Sequence, residues 1–260
     1  MPIITLTTDF GTRDGYVGAV KGVISRLAPE VTIIDIAHDI PRGDIAHAAW
    51  VVKTSTLEYP HETIHVVVVD PGVGSERPAV IARALSGNPG DPVRRRQLYV
   101  GPDNGVFGYL PVEKAWTINM AEVEFPPSST FHGRDVFAHA AAVMAKGRPQ
   151  IYAGYTSLRG ALPWGARQPG TGRVVHIDHY GNGITDLPAS EAGEEVRFGH
   201  RTFHIARTYS DVAEGEPLAY IGSAGTVELA VRDGRADELL KLERGMLVEA
   251  DARMQDGPYR

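Results

Sequence analysis

The chain has 260 residues, 43% hydrophobic and 22% charged, with a net charge of −6 at pH 7 and no cysteine. These values suit a soluble globular protein of one large domain or two smaller ones. They exclude disulfides, thiolate metal sites and cysteine nucleophiles. They also argue against nucleic acid as a partner, because phosphate neutralisation by Lys and Arg carries most of that affinity.

The start of the chain, Met1-Pro2-Ile3-Ile4-Thr5-Leu6, has neither the basic region nor the apolar core of a signal peptide. No apolar run approaches the ~20 residues of a membrane-spanning helix. The expectation is a cytoplasmic protein with no membrane partner.

Residues 3–8 read as a β-strand stopped by Asp9-Phe10-Gly11. Residues 16–27 carry apolar side chains at helical spacing and end before Pro29. A short strand over 31–36, an Ala-rich helix over 44–56 and a valine-dominated strand over 65–69 follow. The valine run has the texture of a strand buried on both faces. Alternating strands and helices predict an α/β domain whose central sheet is mostly parallel. In such sheets ligands sit beyond the carboxyl ends of strands, where Asp9 and Asp70 stand.

Residues 85–96, with Arg94-Arg95-Arg96, read as a polar loop, insertion or hairpin end. A strand over 98–100 leads into Gly101-Pro102-Asp103-Asn104-Gly105, and an Ala-rich helix spans 135–146. Pro and Gly then crowd 163–172, and the texture changes to short strands separated by turns: 172–178, 195–198, 201–205, 218–221, 226–231 and 246–250. The predicted organisation is an N-terminal α/β domain over 1–163, a linker over 164–172 and a smaller all-β barrel or sandwich over 173–260.

Familiar short motifs do not decide the function. Asp9-Phe10-Gly11 lacks the partners of the kinase metal motif, and Gly72-Val73-Gly74 lacks the third glycine of a dinucleotide fingerprint. Asp9 and Asp14 read either as caps of the following helix or, for Asp9, as a carboxylate taking two hydroxyls of a sugar diol. Asp70 and Arg77 read as a structural pair in a turn or as a tuned site carboxylate. His132 opens a helix, as a cap neighbour or as a polar group aimed into a site. Asp178 to Gly183 reads as a hairpin turn or, through the Asn182 amide, as a match to an adenine edge. Ten histidines, several near aspartates (His38-Asp39, Asp44 to His47, Asp178-His179), admit a metal site, although no established ligand spacing occurs.

Taken in order, Thr8-Asp9-Phe10-Gly11-Thr12, Asp35 to Ile40, Val69 to Gly74, Gly101 to Gly105, Thr130 to Asp135, Asp178 to Asn182, Tyr209-Ser210-Asp211 and Ile221 to Gly225 resemble one family. It is the SAM hydroxide adenosyltransferases, adenosine-forming hydrolases of S-adenosyl-L-methionine (SAM), relatives of SAM-dependent fluorinating and chlorinating enzymes. The resemblance covers nearly the whole chain. It implies SAM as substrate, adenosine and methionine as products, no separate cofactor, and a homotrimer with active sites at subunit interfaces. It implies a water-activating set at Asp70, Arg77 and His132. It matches Asp9 to the ribose, Asn182 and Tyr209 to the adenine, and Asp178, Asp14 and Ser223 to the methionine end. Phe131 and Tyr180 join the substrate-binding positions. The halogenating relatives carry an aromatic residue at position 70 and a serine at 133. Asp70 and Gly133 stand here, so water is the nucleophile implied. Gly43 replaces the tryptophan wall of the fluorinating relatives.

The chemistry is coherent. Attack at the ribose C5′ needs an oxygen held in line with the C5′–S bond, and positioning alone supplies ~7 kcal/mol or more of such a barrier. A base and a charge partner add roughly 100-fold or more. Three other readings are open: a SAM- or adenosine-binding protein without turnover, a SAM-dependent halide transferase, and a metal-dependent hydrolase.

Overall fold

A computed structural model describes residues 1–87, 93–124 and 126–250. The chain divides into two compact units, Met1–Pro163 and Trp164–Arg260.

The first unit is built on seven strands: β1 (Ile3–Thr8), β2 (Thr32–Ala37), β3 (Ile64–Val68), β4 (Ala79–Ser86), β5 (Arg95–Pro102), β6 (Val112–Ile118) and β7 (Tyr152–Thr156). Its helices are α1 (Tyr16–Leu27), α2 (Ile45–Ser55) and α3 (His139–Ala145), the last continuing a π-helical turn over Gly133–Ala138. The strand order is β2-β1-β3-β5-β4-β6-β7.

The pairs β1–β2, β1–β3 and β3–β5 are parallel, whereas β4–β5, β4–β6 and β6–β7 are antiparallel. The sheet is therefore mixed, where the sequence predicts a mostly parallel one. The cause is local. The polar stretch at 85–96 is a hairpin end, with β4 reaching Ser86 and β5 beginning at Arg95, and strands joined by a short loop pair antiparallel. Residues 88–92 of that stretch lie outside the described residues. Charged positions such as Arg83, Glu113 and Lys114 interrupt the apolar pattern of β4 and β6, which sequence reading passes over.

Both sheet faces are covered. Ile4, Leu6, Val66 and Val68 pack with Val20 and Ile24 of α1 and with Phe137, Ala140 and Ala141. On the other face Val67, Val69, Val80 and Tyr99 pack with Ala48 and Val52 of α2. The successive valines of β3 thus feed opposite cores, which is why that strand shows no alternation. Asp44 caps α2, accepting from the His47 amide at 2.8 Å.

In the second unit β8 (Thr171–Ile177), β9 (Gly183–Pro188), β10 (Glu195–Phe198), β11 (Arg201–Ala206), β12 (Pro217–Ile221), β13 (Thr226–Val231) and β14 (Leu247–Ala250) form a closed barrel, β10-β11-β12-β13-β9-β8-β14. Val174, Leu187, Val196, Phe203, Leu229 and Val248 fill it. Among the described residues, no helix is long and apolar enough to cross a membrane.

Candidate active site

Strands β1 and β3 are parallel neighbours, with Thr8 opposite Val68. Asp9, one residue beyond that pair, and Asp70, two residues beyond it, therefore both emerge at the carboxyl end of the parallel half. The neighbouring β5 ends at Pro102, and Asn104 just beyond it donates from Nδ2 to the Val69 carbonyl at 2.9 Å. That bond pins the end of β3 one residue before Asp70.

Asp70 is paired. Arg77 Nε donates to its Oδ1 at 3.0 Å, and Arg77 Nη2 donates to its Oδ2. Both side chains are nearly withdrawn from solvent, 4% exposed for Asp70 and 10% for Arg77. Arg77 Nη2 also donates to His132 Nδ1 at 2.8 Å. Arginine has no acceptor, so Nδ1 must be the unprotonated nitrogen and Nε2 carries the hydrogen. Burial, and then the Arg77 charge, hold the His132 pKa below the usual histidine value. The guanidinium lies 5.3 Å from the Phe137 ring centre, which fixes it from behind.

Glycine brings the two segments together. Gly74 has φ +78°, and a β-carbon there would fall 2.3 Å from the Ser129 carbonyl oxygen. The loop carrying Arg77 can therefore lie flat against the segment that leads into His132. Asp135 ties that segment down, accepting from the Ser128 amide at 2.9 Å and the Ser128 hydroxyl at 2.7 Å. At Gly133 a β-carbon would lie 3.1 Å from the Phe10 ring.

Neither Asp9 nor Asp14 caps α1, whereas His132 stands at the N-cap of the π-helical turn. The N-cap of α1 is Gly15, without a side-chain bond, and His132 makes no cap bond. Asp9 Oδ2 instead accepts from the Gly43 amide at 2.8 Å. Asp14 is exposed in the turn before α1. Phe131 packs edge-on against Phe10 (5.7 Å) and Tyr16 (5.3 Å).

In the second unit the turn between β8 and β9 is organised by Asp178. Its Oδ1 accepts from the amides of Tyr180 (2.9 Å) and Asn182 (2.8 Å), and its Oδ2 from Asn182 Nδ2 (2.9 Å). Asn182 Nδ2 also reaches Tyr209 Oη at 3.3 Å. Tyr209 bonds Tyr220 (2.7 Å), and Tyr220 donates to Glu228. Because an ionised Glu228 only accepts, the chain runs Asn182 to Tyr209 to Tyr220 to Glu228. Asn182 and Tyr209 line one cleft of about 690 Å³ with Tyr180, Thr208, Ser210 and Arg232. Ser223 is exposed in the β12–β13 turn and does not line that cleft.

Sequence reading missed Asn104, Tyr220 and Glu228. Asn104 was visible only as part of a glycine-rich turn. Tyr220 and Glu228 stand directly opposite each other across β12 and β13, a register that only the fold supplies. Among the described residues, no three His, Asp or Glu side chains converge as metal ligands.

Comparison with known proteins agrees with this layout. Residues 4–153 match the SAM hydroxide adenosyltransferase N-terminal domain, and residues 172–249 match the C-terminal domain of that family. The chain is 37% identical to an (R)-S-adenosyl-L-methionine hydrolase of Thermus thermophilus, over 93% of this chain and 96% of that one. It is 25% identical to a fluorinase of an Actinoplanes species, over 88% and 90% of the two chains. The solved structure of an uncharacterized conserved protein from Thermotoga maritima superposes with a TM-score of 0.83 at 32% identity, covering 95% of this chain and 99% of that one. With both domains matched in order around a bonded Asp70, Arg77 and His132, the chain belongs to the SAM hydroxide adenosyltransferase family.

Proposed function

We propose that this protein hydrolyses S-adenosyl-L-methionine to adenosine and L-methionine by in-line attack of water on the ribose C5′. The carrying observation is the guanidinium of Arg77 bonded at once to Asp70 and to His132. A new O–C5′ bond forms as the C5′–S bond breaks. The electron pair stays on sulfur, which leaves as the neutral thioether of methionine, and one water proton goes to the enzyme.

His132 Nδ1 is occupied by Arg77, so the Nε2–H acts as a donor that orients the water oxygen. Asp70 is then the proton acceptor, and Arg77 holds both groups in line while favouring developing hydroxide. In this reading Asp9 takes the ribose hydroxyls, Asn182 and Tyr209 the adenine, and Asp14, Asp178 and Ser223 the methionine end. Phe131 and Tyr180 provide aromatic walls. The homotrimer with active sites at subunit interfaces rests on family resemblance.

The test is to incubate chelator-treated protein with SAM in ¹⁸O-water, without halide, and to identify products by mass detection. Equal adenosine and methionine, with one ¹⁸O in adenosine, is the expected result. Intact SAM retained on the protein would point to binding without turnover. Activity that requires halide, or that disappears with chelator, would point to the halide-transferase or metal-dependent reading.

A further inference from the structure

One buried histidine has no part in the water-activating set. His38 follows β2 and is 7% exposed. It is bound into the turn after β1 in two ways. Its carbonyl oxygen accepts from the Gly11 amide at 2.8 Å. Its ring Nδ1 lies 2.8 Å from the hydroxyl of Thr8, a side chain only 1% exposed. The Thr8 oxygen in turn accepts from the Phe10 amide at 3.3 Å. On the far side of the ring, Nε2 lies 3.1 Å from Asp35 Oδ1, and Lys21 of α1 donates to Asp35 Oδ2 at 2.6 Å.

Asp35 is the accepting end of this chain. Burial alone would raise the Asp35 carboxyl, but the bonds from Lys21 and His38 hold it below the usual carboxylate range, so it accepts. In the tautomer that places the ring hydrogen on Nε2, toward Asp35, Nδ1 accepts from the Thr8 hydroxyl. An amide, a hydroxyl, an imidazole and a carboxylate thereby stand in succession. They bracket Asp9, whose own neighbours Thr8, Phe10 and Gly11 are the anchored residues.

We infer that His38 is a positioning residue for Asp9, holding the turn so that the carboxylate addresses the ribose hydroxyls of the substrate. The inference rests on the reading of Asp9 as the ribose contact. Asp9 itself accepts from the Gly43 amide at 2.8 Å, and Gly43 sits at φ +70°. The carboxylate is thus held by a backbone donor, and the turn that carries it is held by the His38 link. Loosening that link lets the turn rotate, and a hydroxyl recognised by two aligned oxygens becomes a hydroxyl met at random.

The experiment measures the affinities of adenosine and 2′-deoxyadenosine by calorimetry in the full-length protein, together with kcat and KM for SAM. Thr8→Val removes the hydroxyl with little change of volume in a buried strand, and His38→Phe removes the ring nitrogens. His38→Gln retains an acceptor and a donor. In the wild type the 2′-hydroxyl is expected to favour adenosine by about tenfold or more, as for a buried site left unpaired by the deoxy ligand. In Thr8→Val and His38→Phe that ratio falls below about threefold, with KM for SAM rising more than kcat falls. His38→Gln restores part of the ratio. 2′-Deoxyadenosine binds all of these proteins within about twofold, an outcome that general loosening of the fold does not give.

Asp9→Ala separates the two possible failures. If Asp9→Ala collapses the ratio while Thr8→Val and His38→Phe keep it, the role of His38 is refuted and the ribose reading of Asp9 stands. If Asp9→Ala keeps the ratio, or the wild type binds neither nucleoside, the ribose reading falls and the His38 inference with it.

Discussion

Arg77 donates a hydrogen bond of 2.8 Å to Nδ1 of His132, and that bond fixes which nitrogen of the imidazole is free to act. A protonated His132 would present an N–H to the guanidinium and lose the bond. Burial and the Arg77 charge already hold its pKa below the ordinary 6.5. The active, neutral form is therefore present above the depressed pKa and is lost only as pH falls through it. The acid limb of kcat/KM is expected to lie below pH 6.5, the unperturbed histidine value, as a pH–rate profile with SAM will show.

The same bond separates orientation from basicity. His132→Gln can accept from Arg77 through Oε1 and donate through Nε2, as neutral imidazole does. It is expected to keep kcat/KM within about tenfold of wild type, whereas His132→Ala loses roughly 100-fold or more. Equal losses in the two variants would assign the proton to His132 instead of Asp70.

Arg77→Lys should cost roughly 100-fold in kcat/KM with the charge retained. A lysine ammonium cannot bridge both Asp70 oxygens and His132 from one plane. Steady-state kinetics on a variant with an unchanged melting temperature checks this. A loss below about threefold would show that only the charge matters.

Much of this arrangement was legible in the chain itself, and the limits are instructive. Asp9 and Asp70 could be placed because each follows a strand whose stop is written in its residues. The hairpin turn at Asp178 to Gly183 was likewise readable, and its Asp–Asn bonding bears out the turn. The antiparallel half of the sheet was not, because β4 and β6 carry Arg83, Glu113 and Lys114 among their apolar residues. In the sequence His38 stands out only by the aspartate that follows it. Its partner is Asp35, three residues earlier, with Thr8 from another strand. Partners drawn from neighbouring strands depend on register, which spacing along one segment does not contain.

Gly74→Ala should lower stability by at least about 2 kcal/mol. The new methyl group would meet the Ser129 carbonyl at 2.3 Å from a backbone at φ +78°. Denaturant unfolding gives the stability. Because the clash separates the Arg77 loop from the His132 segment, kcat/KM measured on the folded variant should fall as well.

His65 predicts an acid weakness independent of the active site. It is buried between Thr5 and Tyr99, and burial drops its pKa to about 3. The folded protein thus favours the neutral ring, while the unfolded chain takes up a proton near the ordinary value. Stability is full above pH 6.5 and declines as pH falls toward 3, at up to about 1.4 kcal/mol per pH unit from this one group. In His65→Gln the slope over that window should flatten, even though the variant starts less stable at neutral pH. An unchanged slope in equilibrium unfolding would place the acid sensitivity elsewhere.

The closure of the seven-strand barrel limits how this protein can be joined to anything else. With β14 paired to both β8 and β10, the ladder comes round on itself, and among the described residues every barrel strand has a neighbour on each side. A partner that recognises the barrel therefore meets mainly side chains and loops. The seven-stranded sheet is different: β2 and β7 are its outermost strands. Backbone-to-backbone addition to the sheet, whether in a native assembly or in aggregation of a damaged chain, would fall on those two borders.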